Sequence, residues 1–294
     1  MSKTIIFFGT DTFSASALRH LIEAGYTVAA VITKPDSKSG RGQHLTAPLV
    51  KQIALEHNIP VWQPTKLIET LDDIKALGAT IDVVGVLSSY GRIIPQAIID
   101  LFHPGIINIH PSLLPMYRGP SPIETAIANG DTSTGVSIMQ LTAGMDAGPV
   151  YAQEIFPLDG TETAPALEET LSELGARMLI ETLPSIIDGS LLPTPQTDEA
   201  VYCSLLNKAD AIISPEALTA VQAERHVRAY LEFPKTKMTV LDQPVIITKA
   251  HVVSEQTTPM DVAFKGGQFL AIDELIGPSG RKMSGSAFLN GYAA

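Results

Sequence analysis

Thr4-Ile5-Ile6-Phe7-Phe8-Gly9-Thr10-Asp11 begins the chain with an apolar run that ends in a glycine and two polar residues. This pattern predicts a buried strand that turns into a helix over residues 14–24. Further strands are predicted at 27–33, 81–87, 106–110 and 135–141, and helices at 48–57, 66–77, 95–101, 122–129 and 163–188. Strands that alternate with helices indicate an α/β fold with a doubly wound, mainly parallel sheet.

A change of composition after residue 188 predicts a second domain. Residues 189–201 combine glycine and prolines with polar side chains, which is typical of a linker. One helix is predicted beyond it, at 215–232, and then short alternating segments at 236–241, 244–253, 262–264 and 269–273, which predict a small β-rich domain. We therefore divide the chain into a first domain (1–188), a linker (189–204) and a second domain (205–294).

The composition limits the classes of protein to which the chain can belong. Of its 294 residues 45% are apolar and 17% charged, enough for a full core. The net charge of −11 disfavours a broad, nonspecific nucleic-acid binder but allows a local basic patch. The single cysteine, Cys203, excludes a disulfide framework and a multi-cysteine zinc site. With no signal-peptide pattern and no membrane-length apolar run, we expect a cytoplasmic protein that does not enter a membrane.

The most informative polar residues are Asn108, His110 and Asp146. Asn108 and His110 lie two residues apart at the end of a predicted strand, so their side chains share one side of it, and Pro111 stops the strand. Ligands of open α/β sheets bind at this carboxyl edge. An amide, an imidazole and a carboxylate suit the transfer of an acyl group to an amine. The alternative is that all three are satisfied polar residues at a strand end and in a turn.

Two loops remain open to either a structural or a functional interpretation. The polar loop at 34–47 carries Lys34, Lys38, Arg41 and His44, and could be a solvated surface loop or a basic arm that grips a phosphate backbone. The turn at Gly9 lacks the G-x-G-x-x-G spacing, which argues against a dinucleotide site, and it could still offer helix N-terminal amides to a polar ligand.

Several motifs resemble those of the formyltransferases that use 10-formyltetrahydrofolate. They are Asn108-Ile109-His110-Pro111-Ser112-Leu113-Leu114-Pro115, Tyr117-Arg118-Gly119, Gly144-Met145-Asp146-Ala147-Gly148, the loop from Lys34-Pro35-Asp36 to Pro48-Leu49-Val50-Lys51, and Phe8-Gly9-Thr10 with Phe13. The resemblance is specific over residues 4–190 and weaker from Tyr202 to Ala229. The sequence departs from the family pattern at Pro111, at Met116 and at Phe233-Pro234-Lys235, which replaces a Trp-bearing segment.

The resemblance implies a Rossmann-like domain followed by a small oligonucleotide-binding-like β-barrel. It also implies that Asn108, His110 and Asp146 are catalytic. Expected folate-binding residues are Leu87, Ser88, Ser89, Tyr90, Gly91, Ser112, Leu113, Leu114 and Pro115. Expected contacts to the tRNA or its methionine are Gly9, Thr10, Phe13, Lys38, Arg41 and Gly42.

The implied reaction is formyl transfer from 10-formyltetrahydrofolate, a cosubstrate, to the α-amino group of methionyl initiator tRNA, with no metal. Asn108 and His110 would stabilise the negative oxygen of a tetrahedral centre, while Asp146 would favour cationic His110 and accept a proton. One rival is a formyltransferase that acts on a nucleotide-linked amino sugar, and another is a catalytically silent folate- or RNA-binding module. Since no interface pattern stands out, a monomer is expected.

Overall fold

The computed structural model describes residues 4–39, 44–79 and 81–292. Contacts between residues group the chain into two compact units. The first comprises Met1–Pro120, Gly135–Phe156 and Glu168–Tyr202, and the second comprises Ser121–Thr134, Pro157–Leu167 and Cys203–Ala294.

The strands of the described residues are β1 (Thr4–Phe8), β2 (Val28–Ile32), β3 (Ser37–Ser39), β4 (His44–Thr46), β5 (Val61–Trp62), β6 (Val83–Ser88), β7 (Ile106–His110), β8 (Ser133–Gln140), β9 (Val150–Pro157), β10 (Lys237–Val240), β11 (Gln243–Val253), β12 (Val262–Ala263), β13 (Phe269–Ile276) and β14 (Lys282–Ser284). The helices are α1 (Thr12–Glu23), α2 (Leu49–Glu56), α3 (Leu71–Gly78), α4 (Gln96–Ile99), α5 (Pro122–Asn129), α6 (Ala164–Asp188), α7 (Ala220–Ala229) and α8 (Gly285–Tyr292).

A seven-stranded sheet has the order β5-β2-β1-β6-β7-β8-β9. Strands β5, β2, β1, β6 and β7 pair in parallel, and β8 runs antiparallel to β7. Every residue of β1 and β7 is buried, as expected of interior strands in a covered sheet, and in β7 the buried residues include the polar Asn108 and His110. The chain leaves β1 for β2 on one side and later places β6 on the other. The carboxyl ends of β1 and β6 therefore flank a topological switch point, where ligands of such sheets bind.

The second unit contains an antiparallel sheet in the order β10-β11-β13-β12, with β14 also paired to β13. Its core includes Val227, Ile247, Leu270 and Phe288. Helix α7 packs against α5, and Arg225 Nη1 donates to the Asn129 carbonyl at the end of α5 (3.1 Å). The prediction of a mainly parallel α/β sheet and a β-rich C-terminal domain is therefore confirmed.

Most predicted elements differ from the observed ones by a few residues at their ends, and three differ by more. The loop predicted at 34–47 contains the short hairpin β3–β4. The helix predicted at 66–77 is a 3₁₀ turn, Leu67–Thr70, followed by α3, because the Thr70 hydroxyl donates to the Leu67 carbonyl (2.8 Å) and competes with regular helix bonding. The helix predicted at 215–232 is the shorter α7, which begins after a capping box between Thr219 and Gln222.

Candidate active site

Strand β7 presents Asn108 and His110 at the carboxyl edge of the sheet. It is an interior strand, in which Asn108 pairs with Leu87 of β6 and with Met139 of β8. The exposed fractions of Asn108 and His110 are 4% and 5%. The strand ends at His110 because Pro111 lacks the N–H that a further ladder bond requires.

Each ring nitrogen of His110 faces an oxygen. Nε2 lies 3.0 Å from the Tyr117 carbonyl, which only accepts, so Nε2 carries a proton and donates it. Nδ1 lies 3.8 Å from Asp146 Oδ2. That separation suits an ion pair with a protonated ring but is too long for a direct hydrogen bond. Nδ1 is therefore the ring nitrogen that faces the Asp146 carboxylate.

Asp146 lies in a tight loop between β8 and β9. Its Oδ2 accepts from the Gly119 N–H (2.9 Å), so one carboxylate contacts both the His110 ring and the segment after Tyr117. The loop also requires Gly148, because a Cβ there would lie 1.8 Å from the Gln140 carbonyl oxygen. The structure thus brings the three predicted catalytic residues together.

Left-handed backbone occurs repeatedly around this site. Among the described residues, the non-glycine residues with positive φ include Ser89 (44°), Tyr117 (55°) and Asp146 (45°). Such conformations cost of order 1–3 kcal/mol each and persist where surrounding contacts hold them. Their grouping around His110 is typical of an active site.

Asn108 has an unsatisfied polar atom. Its Oδ1 is buried and has no hydrogen-bond partner in the described part of the chain. A buried acceptor without a donor costs about 1–3 kcal/mol. A ligand that brings an N–H or O–H group to this oxygen would remove that cost, so the observation favours a binding role for Asn108.

The Ser112–Pro115 turn is fixed by side chains of β8 and β9. The Ser137 hydroxyl donates to the Ser112 carbonyl (2.6 Å) and accepts from the Leu114 N–H (3.1 Å). Gln153 Nε2 donates to the Leu114 carbonyl (2.8 Å) and to Ser137 (2.9 Å). Ser112 and Leu114 are buried, Leu113 and Pro115 are half-buried, and the Leu114–Pro115 peptide bond is cis. The hydrogen bonds from Ser137 and Gln153 thus fix the conformation of the turn that follows His110.

Loops from β1 and β6 meet at the switch point. The Thr10 hydroxyl donates to the Tyr90 carbonyl (3.0 Å), and the Ser89 hydroxyl donates to Asp11. Ser88 Oγ is buried and unpartnered among the described residues, whereas Gly91 closely approaches Lys34. These contacts bring predicted folate-binding residues next to predicted methionine-binding residues.

The two aromatic residues among the predicted binding residues of this region have buried side chains. Tyr90 is 1% exposed and packs edge-on to Phe8 with 5.9 Å between ring centroids, and Phe13 is 5% exposed. Leu87 is half-buried. Gly9 lies in the turn between β1 and α1, where a Cβ would clash with the side chains of Phe7 and Ser14. The roles given to these residues remain predictions.

The basic loop is anchored at its base. Asp36 accepts two hydrogen bonds from Lys51 Nζ (2.8 Å each) and one from Gln63 Nε2 (2.7 Å), and these bonds hold the pKa of Asp36 below its usual value. Lys38 is exposed on β3. Arg41 and Gly42 lie outside the described residues. Hydrogen bonds to Asp36 therefore hold the base of the hairpin, and Lys38 on β3 is an exposed cation.

One further residue of the site, Gln196, donates hydrogen bonds to the carbonyls of Asp146 and Gly148. It was not predicted from the sequence, because its segment has only a linker composition.

Within the described ranges, no cluster of His, Cys, Asp and Glu could hold a metal ion. No described helix is both long and apolar enough to cross a membrane.

Comparison with known proteins identifies the family. The family model described as formyl transferase matches residues 2–183, and the model of the formyl transferase C-terminal domain matches residues 205–293. The chain belongs to the formyl transferase family. Its relatives include a methionyl-tRNA formyltransferase of Chloroflexus aurantiacus, 39% identical over 99% of this chain and 97% of that protein.

Solved structures show the same formyl transferase fold at lower identity. HypX from Aquifex aeolicus in complex with tetrahydrofolic acid has a TM-score of 0.69 at 18% identity, covering 99% of this chain and 48% of that one. An N-formyltransferase from Helicobacter canadensis, in complex with folinic acid and dTDP-3-aminofucose, has a TM-score of 0.68 at 19% identity, covering 92% of this chain and 98% of that one. At these identities the likeness concerns the fold alone.

Proposed function

We propose that this protein transfers the formyl group of 10-formyltetrahydrofolate to the α-amino group of methionyl initiator tRNA. The observation that carries the proposal is the meeting of Asn108, His110 and Asp146 at one sheet edge of a formyl transferase. The acceptor is proposed from the relatives named methionyl-tRNA formyltransferase, which match both domains. The product is N-formylmethionyl-tRNA, which serves translation initiation.

The residues at the switch point fit a folate. A pterin has several N–H groups and acceptors, and Asn108 Oδ1 and Ser88 Oγ are buried atoms without protein partners in the described chain. We assign the binding of the donor to the backbone of Leu87–Gly91 and to the Ser112–Pro115 turn. When bound, 10-formyltetrahydrofolate supplies the formyl group.

Asn108 and His110 stabilise negative charge in the proposed reaction. Asn108 has two amide N–H groups that can donate to the formyl oxygen as the acceptor amine attacks its carbon. An N–H group on Nδ1 of His110 would offer a second donor. The amine must be neutral to attack, and at pH 7 about a tenth of α-amino groups with pKa values near 8 are neutral.

Asp146 accepts the proton that the acceptor amine loses in the proposed reaction. As the new C–N bond forms, the nitrogen becomes acidic, and the Asp146 carboxylate accepts its proton directly or through one water. The proton then goes to the folate nitrogen as the old C–N bond breaks, which balances the transfer. The same carboxylate lies within ion-pair distance of the His110 ring.

The basic hairpin is proposed to contact the tRNA. The second domain has nine basic and nine acidic residues, so the excess negative charge lies in residues 1–204. Attraction to RNA must therefore come from local cations rather than from net charge. Lys38, exposed on β3, provides one such cation, and Arg41 is a second cation in the sequence of the same loop.

Arg41→Ala is expected to raise the KM for tRNA by on the order of tenfold and to weaken its salt dependence, because one phosphate contact is lost. The KM for the folate should not change. Lys75→Ala, which removes an exposed cation of α3, is the control and should leave both constants unchanged. An equal effect of the two variants would exclude a specific RNA role for the hairpin.

An acceptor panel tests the proposed function. Labelled 10-formyltetrahydrofolate is supplied with methionyl initiator tRNA, methionyl elongator tRNA, free methionine and nucleotide-linked amino sugars in parallel. The proposal requires the highest kcat/KM with the initiator tRNA. Preference for an amino sugar would keep the chemistry of the site but replace the acceptor with that of the rival hypothesis.

We further propose that the chain acts in the cytoplasm and as a monomer. The cytoplasm is where an initiator tRNA is aminoacylated and used. Light scattering during gel filtration would test the second point, and a mass of two chains at micromolar concentration would contradict it.

A further inference from the structure

The segment that follows α6 is bound to other parts of the first unit, to which it belongs. Thr194 and Val150 exchange two backbone hydrogen bonds of 2.8 Å each. Farther along, the Arg118 N–H donates to the Val201 carbonyl (2.9 Å), and the Val201 N–H donates to the Pro115 carbonyl (3.1 Å). Residues 194–201 are thus held at both ends, with Gln196 between the two attachments.

The Gln196 carboxamide joins two loops of the candidate active site. Its Nε2 donates to the backbone carbonyls of Asp146 (2.8 Å) and Gly148 (2.7 Å). Its Oε1 accepts from Arg118 Nε (3.0 Å) and Nη2 (2.8 Å). Carbonyls only accept and a guanidinium only donates, so the orientation of the carboxamide is determined and its hydrogen-bonding capacity is filled.

These two loops are the ones that hold His110. Tyr117, next to Arg118, accepts from one ring nitrogen, while Asp146 faces the other. Asp146 also has a left-handed backbone conformation that surrounding contacts must maintain. Gln196 binds the backbone of Asp146 on one side and the side chain of Arg118 on the other, and so it fixes the distance between the loops.

We propose that Gln196 is a positioning residue that holds the Asp146 carboxylate at its observed distance from the His110 ring. The inference rests on the proposed formyl transfer for its kinetic consequence, but its structural part stands independently. Gln196 acts through the peptide groups of Asp146 and Gly148, and its four hydrogen bonds to the protein leave its carboxamide no donor or acceptor for a substrate. A displacement of about 1 Å at a reacting group can cost about 10²-fold in rate, so a remote carboxamide can matter greatly.

Gln196→Glu separates this role from simple packing. A carboxylate has nearly the same shape and still accepts from Arg118, but it cannot donate to the two carbonyls and repels them. We expect kcat to fall about 10- to 100-fold, as for other residues that orient catalytic groups, while both KM values stay within about twofold. Glu199→Gln, an exposed change in the same segment, is the control and should keep the wild-type kcat.

Deuterium uptake provides a readout that does not depend on activity. In Gln196→Glu, peptides spanning residues 141–149 should exchange faster, while peptides of β7 and β8 and the unfolding midpoint should match wild type. Unchanged uptake at 141–149 would overturn the proposal whether or not the enzyme is active. A general rise in uptake with a lower midpoint would assign Gln196 a merely structural role and also overturn it. If wild type transferred no formyl group to any acceptor, the proposed function would fail, and the uptake result would still decide whether Gln196 holds the loop.

Discussion

Asp146→Asn is expected to lower kcat for formyl transfer by about 10²- to 10⁴-fold, the usual contribution of a positioned acid–base group. The asparagine cannot accept the amine proton, and it replaces the carboxylate that lies 3.8 Å from His110 Nδ1. The protein should still fold, because asparagine tolerates positive φ and its Oδ1 can accept from the Gly119 N–H. Single-turnover transfer at saturating substrates measures the effect directly.

The control for this variant is Asp72→Asn, which removes one exposed carboxylate of α3. It changes the net charge equally and should leave kcat unchanged. If Asp146→Asn kept a near-normal rate with a normal unfolding midpoint, Asp146 would not be the proton acceptor, and the assignment of the three residues would have to be revised.

Asn108→Leu is expected to lower kcat by about 10²- to 10³-fold, as loss of one donor to a developing oxyanion does. The same change should raise the free energy of unfolding by about 1 kcal/mol, because it replaces a buried, unpartnered Oδ1 with an apolar group of similar size. Activity and stability should thus move in opposite directions. Chemical denaturation and initial rates on one protein sample measure both.

Thr248→Val is the matched control for Asn108→Leu. It removes another buried polar atom that has no partner in the described chain, the Thr248 hydroxyl, at a register shift of β11 in the second unit. Stability should rise by a similar amount with no change in kcat. If Asn108→Leu had a lower free energy of unfolding than wild type, Asn108 would not be a residue that lowers stability in order to bind the substrate.

Much of the first domain was predictable because its strands are continuous apolar runs. The run from Ile106 to His110 predicted both the strand and its end at Pro111, and period-two alternation placed Asn108 and His110 on one side. The antiparallel direction of β8 was not predictable, because apolar periodicity carries no information on strand direction. Strand β9 was missed, since its residues alternate between half-buried and exposed positions and include the exposed Ile155.

The candidate site was predictable only where residue type and local spacing decide the chemistry. Asp146 is separated from His110 by 36 residues, and its placement depends on a left-handed loop and on Gly148, whose need becomes clear only from the Gln140 carbonyl beside it. Gln196 lies farther still along the chain, and its four hydrogen bonds depend on tertiary structure. No local pattern in a linker-like segment distinguishes such a residue from its neighbours.

Identification of the reaction product would test formyl transfer to the initiator tRNA. Wild-type protein is incubated with methionyl initiator tRNA and 10-formyltetrahydrofolate labelled in the formyl carbon, and the amino acid is then released from the tRNA and analysed by mass spectrometry. We expect labelled N-formylmethionine, formed at a rate that Asp146→Asn and Asn108→Leu reduce at least a hundredfold. Unlabelled methionine in an assay where the protein is folded and binds the folate would contradict this expectation.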